Sequence, residues 1–173
     1  VEQGGIEIVA INDLMTSAQV AHALKYDSSH GQFKGDISFD DSSLTVDGKK
    51  IRITAVKDPA ELKWGDVGAE VVVESTGVFR TPADCNKHLA AGAKKVLLTV
   101  PPKDKGEIKL IVLGVNGDTL TADDKIVSNA SCTTNCLAPP VKVVHEAFGI
   151  EHGLMTTIHS YTNDQRLLDQ VHT

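Results

Sequence analysis

The stretch AEVVVESTG, residues 69–77, is apolar almost without interruption until it closes on Ser75, Thr76 and Gly77. A strand of this composition needs cover on both faces, which points away from an antiparallel sheet with one wet face. The residues that follow extend the argument. Thr81 can cap a helix, Pro82 suits the first helical position, and Gly92 can take the left-handed stop after ADCNKHLAA. KKVLLTV (94–100) and IKLIVLGVN (108–116) then read as two more buried strands. Apolar strands alternating with a helix predict an α/β fold, a parallel sheet covered by helices on both faces. In such sheets ligands sit at the carboxyl ends of the strands. Those ends here carry Asn12 with Asp13, then Ser75, Thr76 and Gly77, then Thr99.

Earlier in the chain, IEIVAIND (6–13) reads as a buried strand ending in polar groups, and Leu14, Ala18, Ala21 and Leu24 share a helical stripe. Asp47 and Gly48 stand between two strand-like runs, a pair suited to the type I′ turn with its two positive φ angles. The formal charge of −6, with lysines scattered among acids, argues against a nucleic-acid partner. Apolar runs such as VVV and LIVLGV fall far short of the ~20 residues that span a bilayer. Three cysteines, an odd number, predict a reducing compartment and a cytoplasmic location. The chain opens on Val1 with a strand-like run almost at once, as an incomplete chain would.

The densest chemistry lies in SNASCTTNCLAPP, residues 128–140. Leu137, Val141, Val144 and Phe148 fall on one helical stripe after Asn129, which places Cys132 at a helix N-terminus and Cys136 one turn deeper. Exposed amide N–H groups and the positive end of the helix dipole stabilise a thiolate there. Ser131, Thr133, Thr134 and Asn135 add donors around the same end, a ready site for an anion. Paired Pro139 and Pro140 should distort or restart the helix early. A base is available in GLMTTIHSY (153–161), which reads as a strand with His159 on the face of Met155, Thr157 and Tyr161. Taken singly, each residue has a plainer reading. Cys132 can be a small buried residue, Asp13 a helix cap and His159 a hydrogen-bonded strand histidine. A C-x₃-C zinc site lacks a second ligand pair, and a Cys132 to Cys136 disulfide would strain a helix. A cysteine hydrolase and a non-enzymatic nucleotide-binding module are the rival functions.

SNASCTTNCLAP followed by GLMTTIHSYTNDQ resembles the glyceraldehyde-3-phosphate dehydrogenase family, and IVAINDL, LKYDSSHG, KDPAELKW, ESTGVF, HLAAGAKKV and LGVN run in that family's order. The resemblance implies a Rossmann-type doubly wound parallel sheet over residues 1–130 and the start of an α+β catalytic domain over 131–173. It implies a glycolytic oxidoreductase converting glyceraldehyde 3-phosphate and inorganic phosphate to 1,3-bisphosphoglycerate, with NAD as hydride acceptor. Cys132 is then the nucleophile and His159 its activating partner. Ser131, Thr133 and Thr162 are anion-site ligands, with Asp164 close by. Asp13 would bind the adenosine ribose hydroxyls and disfavour NADP, while Lys57, Ser75, Thr76, Gly77, Thr99 and Asn163 would lie near the cofactor. The family's first strand and its GxNGFGRIGR-type loop would precede Val1, and about half of its length would follow Thr173. The chain therefore reads as an internal fragment, inactive by itself, of a protein that forms homotetramers. No metal is implied.

Overall fold

The computed structural model describes residues 5–27, 30–104 and 106–162. In chain order the elements are β1 (Ala10–Asn12), α1 (Ser17–Lys25), β2 (Tyr26–Asp27), β3 (Gly31–Gln32), β4 (Ile37–Phe39), β5 (Ser43–Val46) and β6 (Lys49–Thr54). Two 3₁₀ turns (Pro59–Glu61 and Trp64–Val67) lead to β7 (Val71–Glu74), α2 (Pro82–Ala90), β8 (Lys95–Leu98) and β9 (Lys109–Leu110). A third 3₁₀ turn (Gly117–Thr119), β10 (Ile126–Ser128) and α3 (Cys132–Phe148) complete the order. The chain divides into two units, Val1–Pro139 and Pro140–Thr173. Among the described residues all ten strands fall in the first, whose architecture is α/β with a Rossmann-type parallel sheet.

That sheet has the order β7-β8-β10-β9 and is parallel throughout. The expected strand–helix–strand unit is present in β7, α2 and β8. Thr81 caps α2 in a reciprocal capping box with Asp84, and Pro82 opens the helix. Gly92, at φ 106°, ends the turn after α2, and a Cβ there would sit 2.5 Å from the backbone nitrogen of Gly65. A second sheet has the order β1-β6-β5-β4. Here β1 and β6 are parallel, while β5 and β6 form the hairpin expected at Asp47 and Gly48, whose φ angles are 48° and 78°. β2 and β3 form a small antiparallel pair.

Three apolar clusters hold these elements. Val20 and Ala21 of α1 pack with Leu44, Val46, Ile51 and Ile53 of the hairpin. Val72 of β7 packs with Leu62, Trp64, Ala69 and Ala93, and Val9 and Ala10 press against the same group. Cys85 of α2 packs with Val96, Leu98 and Ile108.

Several expectations are corrected. The first strand covers residues 10–12 rather than 6–13, since the hydrogen bonds with β6 reach no further than the Val9 carbonyl and the Asp13 N–H and Ile6 is exposed. The buried face of α1 is Ser17, Val20 and Ala21, with Leu14 exposed, because Thr16 caps the helix and Leu14 precedes it. β7 alternates: Val72 and Glu74 are buried, whereas Val71 and Val73 are each more than half exposed on the opposite face of the pleat. β9 spans two residues at a sheet edge. Its inner neighbour is β10, which the reading from residues did not single out. Finally, α3 runs unbroken through Pro139 and Pro140. The two missing N–H groups remove the bonds to the carbonyls of Asn135 and Cys136 without ending the helix.

Candidate active site

Parallel pairing lines up three strand ends. Glu74 lies opposite Leu98, and Leu98 opposite Ser128, so Ser75, Thr99 and Asn129 emerge side by side at the carboxyl edge of the sheet. The ladder continues one step further: Thr99 donates its backbone N–H to the Glu74 carbonyl at 3.1 Å, and Asn129 donates to that of Leu98 at 3.0 Å. The parallel register thus gathers Thr99, the turn 75–77 and the start of α3.

The entry into α3 is tightly specified. Buried Ser128 donates its hydroxyl to the Val100 carbonyl at 2.8 Å and accepts the Ala130 N–H at 3.0 Å. Ala130, buried, is held at φ 63°, a left-handed conformation that costs a residue with a Cβ and persists where its surroundings over-determine it. Ser131 then caps the helix, its Oγ accepting the Thr134 N–H at 3.0 Å and meeting the Thr134 hydroxyl at 2.7 Å. Asn135 donates its side-chain amide to the carbonyls of Asn129 and Ser131 at 2.6 and 2.9 Å. Cys132 is the first residue of the helix and exposed, as is Cys136. Cys85 is different. Burial, reinforced by the negative charges of Glu74 and Asp84, pushes its thiol up to about 11.

A second strand end carries Asp13 and Lys57. The Asn12 side chain brackets the loop after β6, accepting from the Thr54 hydroxyl and the Val56 N–H and donating to the Val56 carbonyl, each at 2.9 Å. Asp13, half-buried, accepts the Met15 N–H at 2.9 Å, and Lys57 follows Val56 into solvent. In the sequence Asn12 marks a strand end; in the structure it also fixes the geometry of that end.

Beneath the turn 75–77 lies a buried polar group that the sequence reading passed over. Glu74, 4% exposed, accepts from His88 Nε2 at 2.9 Å with one carboxylate oxygen and from the Thr76 N–H and hydroxyl with the other. His88, 3% exposed, accepts the Trp64 indole N–H at 3.1 Å on Nδ1. Burial works to raise the Glu74 carboxyl, and the bonds from His88 and Thr76 outweigh it, so the group lies below its ordinary value. The signal available in the sequence was a glutamate closing VVVE, a strand otherwise apolar.

The strand expected over 153–161 does not form. Residues 152–160 hold no regular structure and are exposed, and a lone strand without a hydrogen-bonded neighbour is not stable in water. His159 contacts the carbonyl of Ser160 through Nδ1. Thr162 is exposed, and Asn163 and Asp164 lie outside the described residues. Cys132 belongs to the first unit and His159 to the second.

Two family models match: "Glyceraldehyde 3-phosphate dehydrogenase, NAD binding domain" over residues 1–82, and "Glyceraldehyde 3-phosphate dehydrogenase, C-terminal domain" over residues 131–173. The chain belongs to the glyceraldehyde-3-phosphate dehydrogenase family. It is 56% identical to the glyceraldehyde-3-phosphate dehydrogenase of Borreliella burgdorferi, over 98% of this chain and 51% of that protein. It is 54% identical to the enzyme of Thermotoga maritima, over 96% of this chain and 50% of that one. With the Streptomyces coelicolor protein the identity is 53%, over 99% and 51%. The chain thus spans about half the length of the curated glyceraldehyde-3-phosphate dehydrogenases it matches.

Proposed function

We propose that this chain forms the cofactor-binding part and the nucleophile of an NAD-dependent, phosphorylating glyceraldehyde-3-phosphate dehydrogenase of glycolysis, with residues 1–130 as the nucleotide domain and 131–173 opening the catalytic domain. The observation that carries this reading is the register of the parallel sheet, which puts an exposed thiol at a helix N-terminus on the same sheet edge as the turn 75–77 and Thr99. The donor set suits a dinucleotide: a carboxylate at Asp13 for ribose hydroxyls, a cation at Lys57, and an open turn where a Cβ on Gly77 would meet nothing within 4 Å. We assign Asn163 to the cofactor-binding residues as well. NAD, when bound, supplies the hydride acceptor.

Cys132 acts as the thiolate that adds to the aldehyde carbon, forming a C–S bond and placing the carbonyl electrons on oxygen. The α3 N-terminus stabilises both negative charges. His159 takes the thiol proton and returns it as oxygen charge builds and collapses. Hydride leaves the hemithioacetal carbon, which becomes a thioester on Cys132 as the C=O bond re-forms. An oxygen of inorganic phosphate then attacks that carbon, the C–S bond breaks, and Cys132 departs as thiolate while the acyl phosphate is released. We assign Ser131, Thr133 and Thr162 as ligands of the substrate and phosphate anions, with Asp164 assisting them, and the working enzyme as a homotetramer. We place it in the cytoplasm, without a nucleic-acid or membrane partner. Among the described residues no helix is long and apolar enough to cross a membrane. Residues 1–173 alone turn over no substrate, since α3 buries none of its side chains and His159 stands on no regular element.

Adding glyceraldehyde 3-phosphate, NAD and phosphate to the protein that carries this sequence should give reduced nicotinamide at a rate abolished by Cys132→Ser. Turnover without NAD would favour a cysteine hydrolase and overturn the reading.

A further inference from the structure

The buried group under the turn 75–77 has a direction that can be read from its chemistry. An indole nitrogen can only donate, so the 3.1 Å contact from Trp64 makes His88 Nδ1 an acceptor. A neutral imidazole with Nδ1 unprotonated carries its proton on Nε2, which donates to Glu74 at 2.9 Å. That leaves the second Glu74 oxygen to accept both the N–H and the hydroxyl of Thr76. Having given its proton to Glu74, the Thr76 hydroxyl accepts the Val78 N–H at 3.1 Å.

The donors converge on Glu74: Trp64 and His88 point to it from the 3₁₀ turn Trp64–Val67 and α2, and Val78 and Thr76 point back to it from the turn after β7. The rings are also fixed laterally. Phe79 meets His88 edge-on with centroids 6.5 Å apart, Trp64 and His88 lie stacked at 6.2 Å, and the Arg52 guanidinium covers the indole at 5.7 Å. Neither ring can turn to offer its other edge without leaving a buried polar atom unpaired.

We propose that Trp64, His88 and Glu74 are positioning residues: a one-way hydrogen-bond relay that sets the shape of the turn 75–77 and thereby the surface offered to the dinucleotide. The proposal rests on the cofactor reading above. It explains why a carboxylate closes a strand that otherwise buries only apolar side chains. Glutamate offers acceptors on both sides and no donor, which the pattern demands and which an amide cannot supply.

The test exploits that asymmetry. In Glu74→Gln the amide oxygen must still face the Thr76 N–H, so the amide nitrogen faces His88 Nε2–H, donor against donor. His88 could relieve this by moving its proton to Nδ1, where it would meet the Trp64 N–H. NAD affinity, measured by calorimetry on the protein that carries this sequence, should fall roughly tenfold in Glu74→Gln, the scale of one unsatisfied buried donor. The Michaelis constant for NAD should rise while kcat stays within about twofold. Trp64→Phe removes the second conflict, so the double variant should bind NAD more tightly than Glu74→Gln alone. Additive losses would overturn the relay, because two independent structural defects do not rescue one another. Nitrogen NMR of the unsubstituted protein gives a readout free of the cofactor and of how well any variant folds: His88 should be protonated on Nε2 alone, and a proton on Nδ1 would overturn the relay. If the unsubstituted protein does not bind NAD at all, the cofactor reading and the positioning role both fall, while the His88 tautomer still reports on the bonding pattern itself.

Discussion

A thiol on the first residue of a helix faces unpaired backbone N–H groups, and one a turn later does not. Both Cys132 and Cys136 are exposed, so accessibility does not separate them, whereas helix position does. Brief iodoacetamide treatment followed by mass spectrometry should therefore label Cys132 first, with Cys136 slower by about tenfold or more. Equal labelling would remove the helix end from the argument. Cys85 should resist throughout, because burial disfavours its thiolate. At the other strand end, replacing Asp13 with alanine should lower the ratio of NAD to NADP efficiency by about tenfold, since a carboxylate opposes a 2′-phosphate. An unchanged ratio would sink that role. The sequence made Cys132 and its helix position legible because a capped, periodic segment is a local pattern. It did not show Ala130 at φ 63° or the bonds of Ser128, since positive φ at a non-glycine follows from tertiary constraint.

Local chemistry and neighbours contribute unequally to the elements. The Thr81 cap of α2 and the Asp47 and Gly48 turn were readable because each depends on residues within four positions. Thr81→Ala should accordingly cost about 1 kcal/mol in chemical denaturation. Gly92→Ala should cost more, about 2 kcal/mol or above, because the position has φ 106° and the new Cβ would collide with the Gly65 backbone. β10 and the length of β9 were not readable, since two- and three-residue strands exist by pairing with neighbours distant in sequence. Asp124 holds the approach to β10. Its carboxylate accepts from Lys109 and from the N–H and hydroxyl of Thr121, and these bonds, led by that from Lys109, bring it down to about 2. A depressed carboxyl stabilises the fold above its unfolded value near 4 and loses that contribution as pH falls through 2. Acid unfolding should therefore be shallower between pH 4 and 2 in Asp124→Asn, and an unchanged slope would contradict the assignment.

At the scale of the whole molecule, several apolar side chains remain on the surface. Val71 and Val73 on β7, and Leu137, Val141, Val144 and Phe148 on α3, are all exposed. The stripe on α3 was legible from its spacing, but the sequence does not say whether a stripe is covered, since burial belongs to the assembly. The same limit explains 153–161, whose alternation reads as a strand while a strand requires a partner. The central claim is that Cys132 carries the acyl group between oxidation and phosphate attack. Its most direct measurement is mass spectrometry of the Cys132 peptide after mixing the protein that carries this sequence with glyceraldehyde 3-phosphate and NAD, without phosphate. The account predicts a thioester adduct on Cys132 that forms only with NAD present and disappears when phosphate is added. An adduct that forms without NAD, sits on Cys136, or survives phosphate would contradict it.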